Sequence, residues 1–244
     1  MCTTRPDPET DVLAPAAEEP KVYVVDDDAA VRDALTVLLR TVALRTESHA
    51  DARSLLDALP RVPTQGCLLV DLRMPGIGGL DLHRTLRALG CAIPTVIMTG
   101  HGDVRAAVTA MKSGVFDFVE KPFRGQELIE VVQEALRQDA RSRAAATEQH
   151  VARTRAAALT AREREVMARV VRGERNKEIA RDLRLSVRTV ELHRARVMQK
   201  LGARTVCDLA RMAALLPDAT PAPPRPGSGY PSGQPASRPN APLW

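Results

Sequence analysis

Long apolar runs are missing from this chain. None approaches the roughly 20 consecutive residues that a membrane-spanning helix needs, so no membrane partner is expected. A signal sequence is missing too: MCTTRPDPETDVLAPAAEEP is polar and acidic, without the basic start and apolar stretch that secretion requires, and a cytoplasmic location is expected. Cysteine is scarce. Cys2, Cys67, Cys91 and Cys207 stand far apart with no CxxC pair, which reads as buried or incidental thiols, a redox role for one of them being the alternative. Material for a core is absent at both ends. Residues 1–20 are rich in proline and acid and read as a disordered leader; residues 215–244, with PDATPAPPRPGSGYPSGQPASRPNAPLW from Pro217, read as a disordered tail.

Between these ends the 244-residue chain is long enough for two domains, each with its own core. Charge is unevenly spread. Residues 21–136 carry 13 basic and 15 acidic side chains, whereas residues 160–212 carry 14 and 7. A local excess of seven positive charges in a short helical region points to a polyanion as partner there. The acidic region has a regular rhythm. Short apolar runs at 21–26 (KVYVVD), 44–48, 67–71 (CLLVD), 94–99 (PTVIMT) and 116–120 (FDFVE) alternate with helical patterns at 29–40, 50–59, 79–89, 103–112 and 126–137. Five such alternations predict a doubly wound α/β domain over 21–137 with a parallel sheet. Residues 138–158, part of an Ala- and Arg-rich stretch with few large apolar residues, are expected to form an exposed helical linker. Residues 159–214 hold helical patterns alone.

Ligands of a doubly wound sheet bind outside the carboxyl ends of its strands. Strand one ends in Asp26, Asp27 and Asp28, strand three in Asp71, strand four in Thr99, and strand five runs into Lys121 and Pro122. Carboxylates, a hydroxyl and an ammonium are thereby delivered to one edge. Crowded carboxylates repel unless a cation relieves them, and oxygen-only donors suit Mg²⁺. A carboxylate beside such an ion and a lysine can attack phosphorus.

VYVVDDDAAVR, LLVDLRMPGIGGLDL, VIMTGHGD and FDFVEKPF, in this order over residues 21–137, resemble the signature stretches of response-regulator receiver domains. The resemblance implies a flavodoxin-like fold with strand order 2-1-3-4-5. It makes Asp71 the phosphoacceptor, with Mg²⁺ held directly by Asp27, Asp71 and the Arg73 backbone carbonyl and through water by Asp26. Thr99 and Lys121 would bind the phosphoryl oxygens, with a cis Lys121–Pro122 bond. Phe118 matches the family's aromatic switch position, with plain core as the lesser alternative on sequence grounds alone. Asp28 reads better as a helix N-cap than as a ligand, and His83 and His101 read as structural or surface residues.

In the basic half, Thr160 with Glu163 three residues on forms a capping box ahead of LTAREREVMARVVR. NKEIARDL is a short helix, Arg184 and Leu185 a tight turn, and Ser186 the cap of VRTVELHRARVMQKL, which stops at Gly202. Val190, Val197, Met198 and Leu201 should face inward. Two short helices about a tight turn, the second rich in arginine, suit a major groove. LTARE, NKEIA and SVRTVELHRARVMQKLG together resemble the LuxR-type helix-turn-helix of FixJ and NarL regulators, an all-α four-helix domain with its motif at 176–195. The resemblance assigns DNA contacts to Asn176, Lys177, Arg188, Thr189, Glu191, Leu192, His193, Arg194, Arg196 and Lys200. For Glu191 two roles stay open: reading a base, or pairing with Arg188 or Arg194.

Together the two halves imply a phosphorylation-dependent transcription factor. Its partners would be a sensor histidine kinase, double-stranded promoter DNA, a second copy of the chain once phosphorylated, and RNA polymerase. Two rivals are weaker. A Mg²⁺-dependent phosphohydrolase with an aspartate nucleophile would use the D-x-D of VYVVDDD, but haloacid-dehalogenase-type enzymes continue with x-[TV], and here Ala29 and Ala30 follow. A receiver acting through protein contacts alone has no use for the helix-turn-helix.

Overall fold

The computed structural model describes residues 19–59, 65–100 and 112–216. Most of the predicted leader and of the predicted tail, and nearly all of the predicted helix 103–112, with His101 just before it, lie outside them. The chain divides into two compact units between Ala146 and Thr147.

The first unit alternates β1 (Lys21–Val25), α1 (Ala29–Arg40), β2 (Arg45–His49), α2 (Ala52–Ala58), β3 (Gly66–Asp71), α3 (Gly79–Ala88), β4 (Thr95–Thr99) and β5 (Asp117–Glu120), and α4 (Gly125–Ala157) begins in it. The strands form one parallel sheet in the order 2-1-3-4-5. Successive side chains of a strand point to opposite faces, and β1 shows the result. Val22 and Val24 pack with Leu35, Leu39, Leu128 and Val132 on one side, while Tyr23 and Val25 pack with Leu55, Leu82 and Leu86 on the other. All six residues of β3 are buried, as a central strand covered on both faces requires.

Local chemistry sets several boundaries. Asp28 caps α1, accepting from the Ala30 N–H at 2.8 Å. Helix α2 starts two residues later than its apolar pattern suggests, because Asp51 is an extended N-cap accepting from the Ser54 N–H at 2.7 Å. His83, buried on α3, meets the Thr95 hydroxyl through Nδ1 at 3.0 Å and the Ser113 carbonyl through Nε2 at 3.2 Å. Burial holds it below the usual histidine range, so this neutral ring is a structural link. The Cys67 thiol is buried in β3 and pushed up to about 12 by that burial, with the Asp139 charge adding to it. Cys207, by contrast, is exposed.

Helix α4 does not stop at Arg137. Nothing between 137 and 157 breaks a helix, and Ala and Arg are strong helix formers, so the expected linker is helical without interruption. It is also not uniformly exposed. Asp139 is 4% exposed and accepts from the Gly66 N–H at 3.0 Å, with Arg143 donating to the same carboxylate oxygen at 2.9 Å. That contact ties the helix to the first residue of β3.

In the second unit the C-terminal part of α4 packs with α5 (Ala161–Val171), α6 (Asn176–Leu183), α7 (Val187–Leu201) and α8 (Val206–Ala214). Ala152 is buried there, Gln149 Nε2 donates to the Leu215 carbonyl at 3.3 Å, and Arg155 donates to the Leu201 carbonyl at 3.0 Å. The core joins Leu159, Val166, Val170, Ile179, Val190, Val197, Leu201 and Leu209. Thr160 and Glu163 form the capping box, Arg184 turns the chain with φ 54°, Ser186 caps α7, and Gly202 ends it at φ 68°. Among the described residues no helix is long and apolar enough to cross a membrane.

Candidate functional site

The register of the sheet builds the first site. Val25 of β1 lies beside Val70 of β3, so Asp26 emerges next to Asp71; Thr99 of β4 lies beside Glu120 of β5, so Lys121 emerges one residue beyond. Asp26 and Asp71 are 1% and 8% exposed, and the Lys121 ammonium bridges them, donating to Asp26 Oδ2 at 2.7 Å and Asp71 Oδ1 at 2.5 Å. Burial alone would lower the Lys121 pKa, but hydrogen bonds and charge from both carboxylates outweigh it and hold the ammonium above the usual lysine range. The second Asp71 oxygen accepts from the Arg73 N–H at 2.7 Å. Asp26 Oδ1 accepts from the Asp28 N–H at 3.0 Å, and Arg32 donates to the Asp26 carbonyl at 2.7 Å. The pocket therefore combines two enclosed carboxylates with one cation.

Asp27 is exposed at the rim. Among the described residues no three His, Cys, Asp or Glu side chains stand together as a ready metal cage. The donors that are present are all oxygen, which is the set a hard divalent cation takes. Thr99 is buried at the end of β4, its hydroxyl 3.3 Å from the Gly100 carbonyl. Phe118 is 40% exposed, which removes the alternative that it is core. The Lys121–Pro122 peptide is cis.

Sequence reasoning missed Gly79. A Cβ there would lie 2.4 Å from the Asp71 carbonyl oxygen, so the start of α3 can approach the end of β3 only as glycine. The GG pair of MPGIGGLDL is the signal that could have found it.

In the second unit α6 and α7 form the helix-turn-helix. Lys177, Arg188, Glu191 and Arg196 are exposed and carry no hydrogen bond or ion pair among the described residues, and Leu192 is 51% exposed. Thr189 is half-buried, with its hydroxyl 2.8 Å from that of the cap Ser186. Of the remaining predicted contacts, Asn176, Arg194 and Lys200 are engaged inside the domain. Arg194 donates to Asn176 Oδ1 at 3.0 Å, joining α7 to the first residue of α6. His193 is half-buried, and its Nδ1 is enclosed by protein. The structure places Lys200 away from the exposed group: its ammonium sits 2.7 Å from Glu163 and 3.1 Å from the Ala158 carbonyl.

Glu163 is 2% exposed, and the Lys200 bond, with the Thr160 N–H behind it, holds its carboxyl at about 2 instead of its ordinary 4.5. A carboxylate stabilised in the fold strengthens it fully above 4.5, and that contribution disappears as pH falls from 4.5 toward 2. The stability difference between the wild type and Lys200→Met is therefore expected to be constant near neutrality and to shrink through that interval. Urea unfolding followed at several pH values checks it, and a difference that stays level down to the lower limit would contradict the assignment.

A sheet edge with buried acids around a lysine, and a separate helix-turn-helix with an unpaired cationic surface, define a class: transcription regulators that join a receiver to a DNA-binding domain. Comparisons agree. The response regulator receiver domain family matches residues 22–133, and the luxR family of bacterial regulatory proteins matches residues 157–213. Transcriptional regulatory protein FixJ of Bradyrhizobium diazoefficiens is 44% identical over 193 residues, 79% of this chain and 93% of that one. Response regulator protein TodT of Pseudomonas putida is 38% identical, over 81% of this chain and 86% of that one. Among solved structures, response regulator StyR is similar at a TM-score of 0.70 and 37% identity, covering 80% of this chain and 98% of that one. Full-length FixJ from B. japonicum gives 0.52 and 42%, covering 81% and 97%. The chain belongs to the FixJ-like two-component response regulators, with a receiver domain and a LuxR-type DNA-binding domain, and it regulates transcription. A protein of this build has DNA and a sensor kinase as partners.

Proposed function

We propose that Asp71 accepts a phosphoryl group from a sensor histidine kinase in the cytoplasm and that this switches binding of promoter DNA. The observation that carries the reading is Lys121 bonded to Asp26 and Asp71 at once. An Asp71 oxygen attacks phosphorus as the bond to the donor's histidine nitrogen breaks. The Lys121 ammonium, already paired with Asp71, receives the negative charge that arrives with the phosphoryl oxygens, and the Thr99 hydroxyl donates to them. Asp27, Asp71 and the Arg73 carbonyl would hold Mg²⁺ directly, and Asp26 through water. When bound, the ion neutralises charge on the transferring group. Thr99 then draws inward, the exposed Phe118 follows, and the altered face pairs with a second copy. The dimer places two copies of α7 in successive major grooves and recruits RNA polymerase.

The full chain treated with acetyl phosphate and Mg²⁺ is expected to carry its label on Asp71 alone and to sediment as a dimer. Label that persists in Asp71→Asn, or without divalent metal, would sink the assignment. Equal monomer fractions with and without label would sink the dimer.

A further inference from the structure

We propose that Glu191 reads a base: its carboxylate accepts a hydrogen bond from the exocyclic amino group of a cytosine in the operator. The inference rests on the reading of α7 as the helix that enters the major groove.

Glu191 is the fifth residue of α7, in the half of a recognition helix that meets base edges. It is exposed, and among the described residues it makes no hydrogen bond or ion pair. This matters because partners are within helical reach. Arg188 stands three residues before it and Arg194 three residues after, spacings at which opposite charges meet on a helix. Arg194 is committed to Asn176 instead, at 3.0 Å. Arg188 is exposed and equally without a partner. The other acidic side chains of the helix-turn-helix are occupied: Glu178 accepts from the Arg175 N–H at 2.7 Å, and Asp182 pairs with Arg169 and Arg181. Glu191 is thus the one acid of α6 and α7 that the domain leaves uncompensated, and it lies on the face that carries Arg188, Leu192 and Ala195.

A carboxylate brought against phosphates is repelled, so it is tolerated there only with a compensating donor. The major groove offers two such donors, cytosine N4 and adenine N6. Adenine places an acceptor, N7, beside its amino group, and an ionised carboxylate can only accept. Cytosine presents the donor without that adjacent acceptor. A glutamine, which donates and accepts, suits adenine instead.

The test selects operator sequences from a randomised DNA pool with the acetyl-phosphate-treated full chain, as wild type, Glu191→Gln, Glu191→Ala and Arg188→Ala. The wild type is expected to show a cytosine preference at one position of each half-site. Glu191→Ala should weaken that preference by about tenfold while other positions keep theirs. Glu191→Gln should shift it toward adenine. Uniformly tighter binding of Glu191→Ala to every sequence would show that Glu191 contributes charge alone and overturn the proposal. Loss in Glu191→Ala of the same guanine preference that Arg188→Ala loses would overturn it in favour of an arginine-orienting role. Failure of the wild type to enrich any sequence would overturn the DNA reading of α7, and this inference with it.

Discussion

Lys121→Met is expected to slow labelling of Asp71 by acetyl phosphate by about 10²–10³-fold, the loss typical of removing one preorganised donor from developing negative charge. The ammonium lies at bonding distance from the Asp71 carboxylate before any phosphoryl group arrives, and its raised pKa keeps it charged throughout the neutral range. The wild-type rate should therefore show no loss of Lys121 charge near neutrality. A second effect follows from the same bridge. Without Lys121, Asp26 and Asp71 face each other in a buried pocket with no cation between them. Two uncompensated carboxylates in one buried pocket repel each other, so the variant should melt below the wild type. Added Mg²⁺ should raise the melting temperature of the variant more than that of the wild type. Unchanged labelling kinetics, or melting that ignores the metal, would contradict the role given to Lys121.

The largest structural effect is expected from Gly66→Ala. Gly66 sits at φ +130°, and an added Cβ would fall 1.8 Å from the Lys21 carbonyl oxygen, a contact that only movement of β1 or β3 can relieve. Backbone strain and overpacking together suggest a cost of about 3 kcal/mol or more, or about 10 °C in melting temperature for a domain of this size. The same shift would disturb the Gly66 N–H bond to Asp139, so the start of β3 and its tie to α4 should loosen together. Gly90→Ala is the control. It also has positive φ, at +81°, but nothing lies within 4 Å of its added Cβ, so only the conformational cost of about 1 kcal/mol remains. Equal melting temperatures for the two variants would show that the close approach is unimportant.

What could be read from the sequence was local or periodic. The apolar runs located the strands, and strand ends supplied Asp26, Asp71 and Lys121, which the structure bonds together, because parallel strands bring their carboxyl ends to one edge. Asp28, Thr160, Glu163, Ser186 and Gly202 were legible as caps because a cap depends on neighbours a few residues away. What the sequence hid depends on distant partners. Lys200 looks like one more cation of the recognition helix, yet its partner Glu163 stands 37 residues earlier. Arg194 turns to Asn176 across the turn. Asp139 looks like a solvated charge in an Ala-rich stretch, and burial against Gly66, 73 residues away, makes it part of the packing at the start of the central strand. The spacing of Asp139 and Arg143, four residues apart, was the one visible hint. The helix ran on past Arg137 because nothing in the linker stops it, and a periodic pattern marks where a helix packs, not where it ends.

The thiol in β3 gives the protein an internal gauge. Cys67 lies on the same strand as Asp71, fully enclosed and held as a thiol by a pKa of about 12. Only the thiolate reacts with disulfide reagents, so Cys67 stays silent while β3 is paired and becomes reactive each time that strand opens. In a variant that keeps Cys67 as its one cysteine, the slow phase of thiol modification then reports how often the central strand separates from its neighbours. Because Asp71 sits at the end of that strand, any ligand that tightens the acidic pocket should lengthen the slow phase, and the receiver's occupancy becomes measurable through a residue that takes no part in its chemistry.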